Sequence, residues 1–98
     1  MIQVVYTWDV PIDNQAAFLA AWEKTTVSIR EATPGARGSF CVVSVDKPTE
    51  VMTIAKWDEL DQWKEFIQEA KLTSMKDMHA LGKQVSSKAY RQKGDFTV

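Results

Sequence analysis

The sequence has one cysteine, one histidine and one asparagine, at Cys41, His79 and Asn14. A single cysteine excludes an internal disulfide, and one cysteine with one histidine cannot build a Cys/His metal site. No cluster of carboxylates stands at ligand spacing either, so no metal is expected. Charge of one sign is also missing. Twelve basic residues face thirteen acidic ones, for a net charge of −1, whereas a nucleic-acid binder usually carries a basic stripe. No apolar run approaches the ~20 residues of a membrane span. The start, MIQVVYTWDVP, has no basic segment leading into an apolar one, so no signal peptide is expected. With a single reduced cysteine, these absences predict a cytoplasmic protein bound to neither nucleic acid nor membrane. Repeats, low-complexity tracts and linkers are absent, and 98 residues suit a single domain over 1–98. A chain this short buries only about 60–65% of its unfolded surface, so it has little area to spare.

Aromatic residues are what the chain does have, with four tryptophans among its 98 residues. Ile2–Val10 alternates as a strand, with Ile2, Val4, Tyr6 and Trp8 on one face. Pro11 stops it, and Asp13 or Asn14 is placed to cap a helix reaching about Ala32. Phe18, Trp22, Thr25, Ile29 and Ala32 form that helix's stripe, flanked by Leu19 and Ala21, with Arg30 largely off it. Thr33-Pro34-Gly35 ends it. Two apolar runs, Gly38–Val45 and Val51–Trp57, joined by Asp46-Lys47-Pro48-Thr49-Glu50, predict a β-hairpin. The period then changes. Leu60, Trp63, Phe66, Ile67 and Ala70 predict a helix over Asp58–Ala70. A second helical piece, Lys71–Leu81, aligns Leu72, Met75 and Met78 and stops at Gly82. Gln84–Gln92 alternates as a fourth strand, and Lys93–Val98 reads as a loop or an arm reaching a partner. The order β-α-β-β-α-β is the ferredoxin-like α+β arrangement, a four-stranded antiparallel sheet with helices on one face.

Both faces of that sheet are apolar. Cys41, Val43 and Val45 oppose Phe40 and Val42; Val51, Ala55 and Trp57 oppose Met52 and Ile54; Val5 backs the Ile2–Trp8 face. Two helices cover one face only, and the other would expose more apolar surface than a soluble monomer tolerates. A homodimer packed sheet to sheet is therefore expected.

Trp22 in the first helix, Pro34-Gly35 and Gly38 before the second strand, and the run Trp57-Asp58 with Trp63 and Phe66 together resemble the antibiotic biosynthesis monooxygenase family of dimeric α/β barrels. The resemblance spans nearly the whole chain. It implies a ligand pocket between the helices and the sheet of each subunit. It also implies oxidation of a small aromatic or quinone-like compound without a cofactor. Trp57, Trp63, Phe66, Tyr6 and Trp22 are the expected substrate-binding residues. His79 is the expected catalytic one, since a histidine can serve as a base near neutral pH.

Each of these residues has a second reading. Large aromatics at helical spacing also serve as plain core, and His79 also fits a solvated helix face. Many family members carry a histidine nine residues after the conserved tryptophan, where this chain has Phe66. A non-enzymatic module that binds a small aromatic molecule is thus the alternative. The haem-degrading branch of the family, which uses an asparagine in the first strand, is a weaker fit because Asn14 stands at a helix start. Tyr90 and Arg91 are further polar candidates. Cys41 reads as a small apolar strand residue rather than a nucleophile, Arg37 as solvated or anion-binding, and Asp58, Glu59 and Asp61 as partners of a helix dipole.

Overall fold

The computed structural model describes residues 1–69 and 75–98 in full and the backbone course of residues 70–74. β1 (Ile2–Asp9) leads through a 3-10 turn (Ile12–Asn14) into α1 (Gln15–Ala32). β2 (Ala36–Val43) and β3 (Glu50–Trp57) follow, then α2 (Leu60–Ser74), α3 (Lys76–Leu81) and β4 (Lys83–Arg91). The sheet order is β2-β3-β1-β4, with every neighbouring pair antiparallel. This is the expected ferredoxin-like α+β fold. The apolar faces assigned to Ala70 and Leu72 lie outside the described side chains.

β1 sits at the centre because its alternation serves a half-buried strand. Ile2, Val4, Tyr6 and Trp8 are buried, while Gln3, Val5 and Thr7 face the other way. Trp8 is the anchor. Its ring meets Phe18 of α1 edge-on at 5.2 Å, and its indole N–H donates to the Thr53 hydroxyl at 3.1 Å. That bond removes the cost of burying two polar groups. Val51, Trp57, Phe66, Met75 and Met78 complete the core, and each large side chain so buried contributes on the order of 1.5–3 kcal/mol.

Several boundaries differ from the sequence expectation. β2 begins at Ala36, not Gly38, because Ala36 already pairs with Trp57. Gly38, at φ +93°, takes up a register shift between Ala36 and Ser39. The same strand ends at Val43, leaving Val45 fully in solvent. β4 spans Lys83–Arg91, one residue earlier than expected at each end, and Val85 falls at an irregularity in its pairing with β1. Asn14 makes no side-chain cap. Its amide donates instead to the Leu81 carbonyl at 3.1 Å and ties the start of α1 to the end of α3. α2 starts at Leu60 with Glu59 as its cap, whose N–H donates to Gln62 Oε1 at 3.0 Å. Asp58 is released from the helix and takes a two-pronged pair with Arg37 at 2.8 and 2.9 Å, so Arg37 is neither unpaired nor free to hold an anion. The second helical piece divides at Met75, where φ −110° and ψ 15° leave the helical region.

The face away from the helices carries Val5, Phe40, Val42, Met52 and Ile54. Ile54 pairs with Val5 on one side and Phe40 on the other, and these neighbours leave it only 7% exposed with no helix above it. Phe40 and Val42 remain 45% exposed.

Candidate active site

Two hollows flank one side chain, Tyr6. The first is a narrow slot between α1 and the helix-side face of the sheet. Trp22, Thr25, Thr26 and Ile29 line it from α1, Ser39, Thr53, Ala55 and Trp57 from the sheet, and Phe66, Met75 and Met78 close its end. The space open to the centre of a water-sized sphere is about 50 Å3, several times the ~10–15 Å3 that one water needs. The walls are aromatic. Trp57 and Phe66 stand 5.4 Å apart at a 41° tilt. Trp22 is fixed by its indole N–H, which donates to Ser39 Oγ at 2.9 Å, and Ser39 Oγ also lies 3.0 Å from Thr26 Oγ1. Trp22 and Thr26 are four residues apart on one helix face, so the Ser39 hydroxyl pins that face to β2.

The second hollow lies on the other side of Tyr6, between α2, α3 and β4. Tyr6, Trp63, Ile67, Met75, Lys76, His79, Gln84 and Ser87 line it, and on the same measure it offers about 490 Å3. Among the described residues, Tyr6 and Met75 belong to both linings. The Trp63 indole N–H donates to the Tyr6 hydroxyl oxygen at 2.9 Å, which fixes that oxygen and leaves its proton to be donated. Burial pushes the Tyr6 pKa above its ordinary value, an effect the Trp63 bond offsets only in part. The phenol therefore stays protonated at neutral pH and acts as a donor.

The six candidates from the sequence thus fall into two groups joined by Tyr6. Trp22, Trp57 and Phe66 meet in the slot; Trp63 and His79 meet in the second chamber. His79 is exposed, and its ring packs 5.1 Å from Trp8. Tyr90 is exposed on the strand face remote from Tyr6, and Arg91 is exposed in the register position of Ile2. Burial raises the Cys41 thiol pKa, which disfavours the thiolate a nucleophile needs. Among the residues lining the slot there is no Asp, Glu or His. Among the described residues no three His, Cys, Asp or Glu side chains converge as a metal site would require, and no helix is long and apolar enough to cross a membrane.

Sequence reasoning passed over Ser39, Thr26, Met75 and Arg30. Arg30 lies off the apolar stripe of α1 yet lines the slot, its stem passing over Gly38. The i, i+4 spacing of Trp22, Thr26 and Arg30 was the available signal. The Ser39 contact depends on the register shift at Gly38, which no local pattern encodes.

The architecture defines a ferredoxin-like domain with an aromatic slot between its helices and its sheet. A family model for antibiotic biosynthesis monooxygenases matches residues 1–80, and the chain belongs to that family. Comparison with curated proteins gives no match. Among solved structures, SnoaB, a cofactor-independent oxygenase from Streptomyces nogalater, superposes with a TM-score of 0.78 at 17% identity, covering 97% of this chain and 95% of its own. A candidate antibiotic biosynthesis monooxygenase from Bordetella bronchiseptica gives 0.81 at 17% identity, covering 94% and 96%. Rv0793 from Mycobacterium tuberculosis gives 0.72 at 14% identity, covering 98% of each chain. At such identities the likeness is one of fold.

Proposed function

We propose that the protein is a cofactor-independent monooxygenase, active as a homodimer through the outer face of its sheet, that oxidises a small aromatic or quinone-like compound held in the slot beside Tyr6. The observation that carries this reading is Tyr6, which lines the aromatic-walled slot and whose hydroxyl is fixed by the Trp63 indole and kept from ionising by burial. A phenol or anthrone that loses a proton becomes an electron-rich anion able to reduce dioxygen without help. One electron passes to O2, the two radicals combine into a C–O bond, and the hydroperoxide so formed loses water. A CH2 group plus O2 becomes a carbonyl plus H2O. Trp22, Trp57 and Phe66 orient the rings and exclude water, while Tyr6 donates to the oxygen on which charge develops. Proton acceptance is assigned to His79, which lines the adjoining chamber.

The lack of Asp, Glu and His among the slot's lining residues favours one other reading, a binding module that holds the same class of molecule without turning it over. Oxygen uptake with a panel of hydroquinones and anthrones separates the two. Catalysis predicts uptake above buffer for at least one compound, reduced in His79→Ala. Binding of a compound, seen as tryptophan quenching, with no uptake for any of them leaves the binding module.

A further inference from the structure

Two of the four methionines in the chain line the slot in which the proposed chemistry forms a hydroperoxide. Met1 is 50% exposed, and Met52 pairs with Thr7 and Val42 on the outer face of the sheet. Met75 and Met78 are the slot pair, only 6% and 2% exposed. A thioether takes an oxygen atom from a peroxide and becomes a sulfoxide. Burial shields this pair from an oxidant in bulk water, but not from one held in the slot. The two differ in the room beside them. Met75 lines the second chamber as well as the slot, whereas Met78 is not among the chamber's lining residues. The added oxygen is polar and costly to bury without a hydrogen-bond donor. At Met75 it can turn into the chamber, whose lining includes Gln84 and Ser87. Met75 is also a flexible side chain at the break between α2 and α3, where a change of rotamer has least helix to disturb.

We infer that Met75 is a site of oxidative modification, taking an oxygen atom from an aromatic hydroperoxide held in the slot. This rests on the slot being the ring site proposed above, and it adds a second fate for the hydroperoxide formed there. The sulfur lone pair attacks the outer peroxide oxygen. The O–O bond breaks as the S–O bond forms, and the proton of the outer oxygen passes to the departing alkoxide. Methionine is oxidised by two electrons to the sulfoxide, and the hydroperoxide is reduced to an alcohol in place of the carbonyl. Each chain can divert one hydroperoxide in this way, until a methionine sulfoxide reductase restores the thioether.

Treatment with cumene hydroperoxide or with hydrogen peroxide, followed by peptide mass spectrometry of the four methionines, tests the inference. Cumene hydroperoxide carries one aromatic ring, and its peroxide carbon bears no hydrogen, so it cannot lose water to a carbonyl. It should oxidise Met75 about tenfold faster than Met1, because a bound oxidant acts at an effective concentration above that in solution. Hydrogen peroxide has no ring to be held by and should oxidise Met1 first. Cumyl alcohol, the same ring without the peroxide, should protect Met75 and quench tryptophan fluorescence. Met75→Leu nearly conserves volume, with circular dichroism as the check on its fold, and should lose the fast phase while still binding cumyl alcohol. Fast oxidation of Met75 by both peroxides alike means an accessible thioether and overturns the inference. Oxidation that falls first on Met78 overturns the assignment to Met75. Quenching by cumyl alcohol, with Met75 oxidised no faster than Met1, overturns the inference and leaves the ring slot standing. No quenching and no fast oxidation removes the ring slot itself.

Discussion

Tyr6 joins a central strand to both hollows, and its hydroxyl accepts the Trp63 indole proton. Tyr6→Phe keeps the ring and removes the donor. If the hydroxyl stabilises a developing oxyanion, turnover in the oxygen-uptake assay should fall by about a hundredfold. Trp63→Phe removes only the group that aims the hydroxyl, and a loss nearer tenfold is expected. The same tyrosine has a thermodynamic signature. Its folded pKa lies above the unfolded value of 10.0 because burial disfavours the phenolate. Its contribution to stability is therefore complete below about pH 10 and is lost as pH rises from there through the higher folded value. Denaturant melts from pH 8 to 11.5 should show wild-type stability falling across the upper part of that range, and Tyr6→Phe losing that part of the slope.

The elements show which information is local. The 2-residue alternation of β1 and the 3–4-residue recurrence of Trp63, Phe66 and Ile67 are local signals, and the strands and helices they predict are present. What local pattern misses is pairing. Arg37 looks like an unpaired loop cation until β2 begins early enough to lay it beside Asp58. Asn14 looks like a cap until the end of α3 arrives to accept its amide proton. The site was legible as residue types, since the aromatic candidates do line the two hollows. Their division into two groups was not legible, because it depends on where α2 breaks and on which side of Tyr6 each helix passes. Two glycines hold these elements in place. A Cβ on Gly82 would stand 2.8 Å from Val10 Cγ2 and 3.4 Å from Phe18 Cδ2, so Gly82→Ala should cost about 1–3 kcal/mol in thermal or denaturant melts. Gly35 has φ +86°, and its Cβ would overlap the Gln62 amide that caps α2. Gly35→Ala should cost about 1–2 kcal/mol from the left-handed backbone alone.

At the scale of the whole molecule the sheet is finished on one side only. The helices cover Trp8, Val51 and Trp57, while Phe40 and Val42 stand half in water around a buried Ile54. A second copy laid on this face would bury that cluster against its own equivalent, as a two-fold interface requires. Phe40→Asp should then convert a dimer to a monomer in analytical ultracentrifugation while leaving the far-ultraviolet dichroism unchanged. A wild-type protein that sediments as a monomer at micromolar concentration would remove the dimer from the proposed function. Beyond β4, Phe96 is fully exposed, so its ring gains no burial from the fold of its own chain.

The Gln92 N–H donates to the Met1 carbonyl at 3.0 Å, and Gln3 holds the Gln92 side chain at 2.8 Å. The first strand thus begins where the last one finishes. A short Gly-Ser bridge could join these points, and the chain could be opened anew between Asp46 and Lys47 in the exposed β2–β3 connection. In such a circular permutant β4 and β1 become a hairpin, and β2 and β3 sit at opposite ends of the sequence. The permutant should fold to the same sheet, since new termini are best tolerated at exposed loop tips. It would also turn one of the most sequence-distant pairings in the molecule into a local one, so refolding rates of the two forms would report whether the β1–β4 contact limits how fast this sheet assembles.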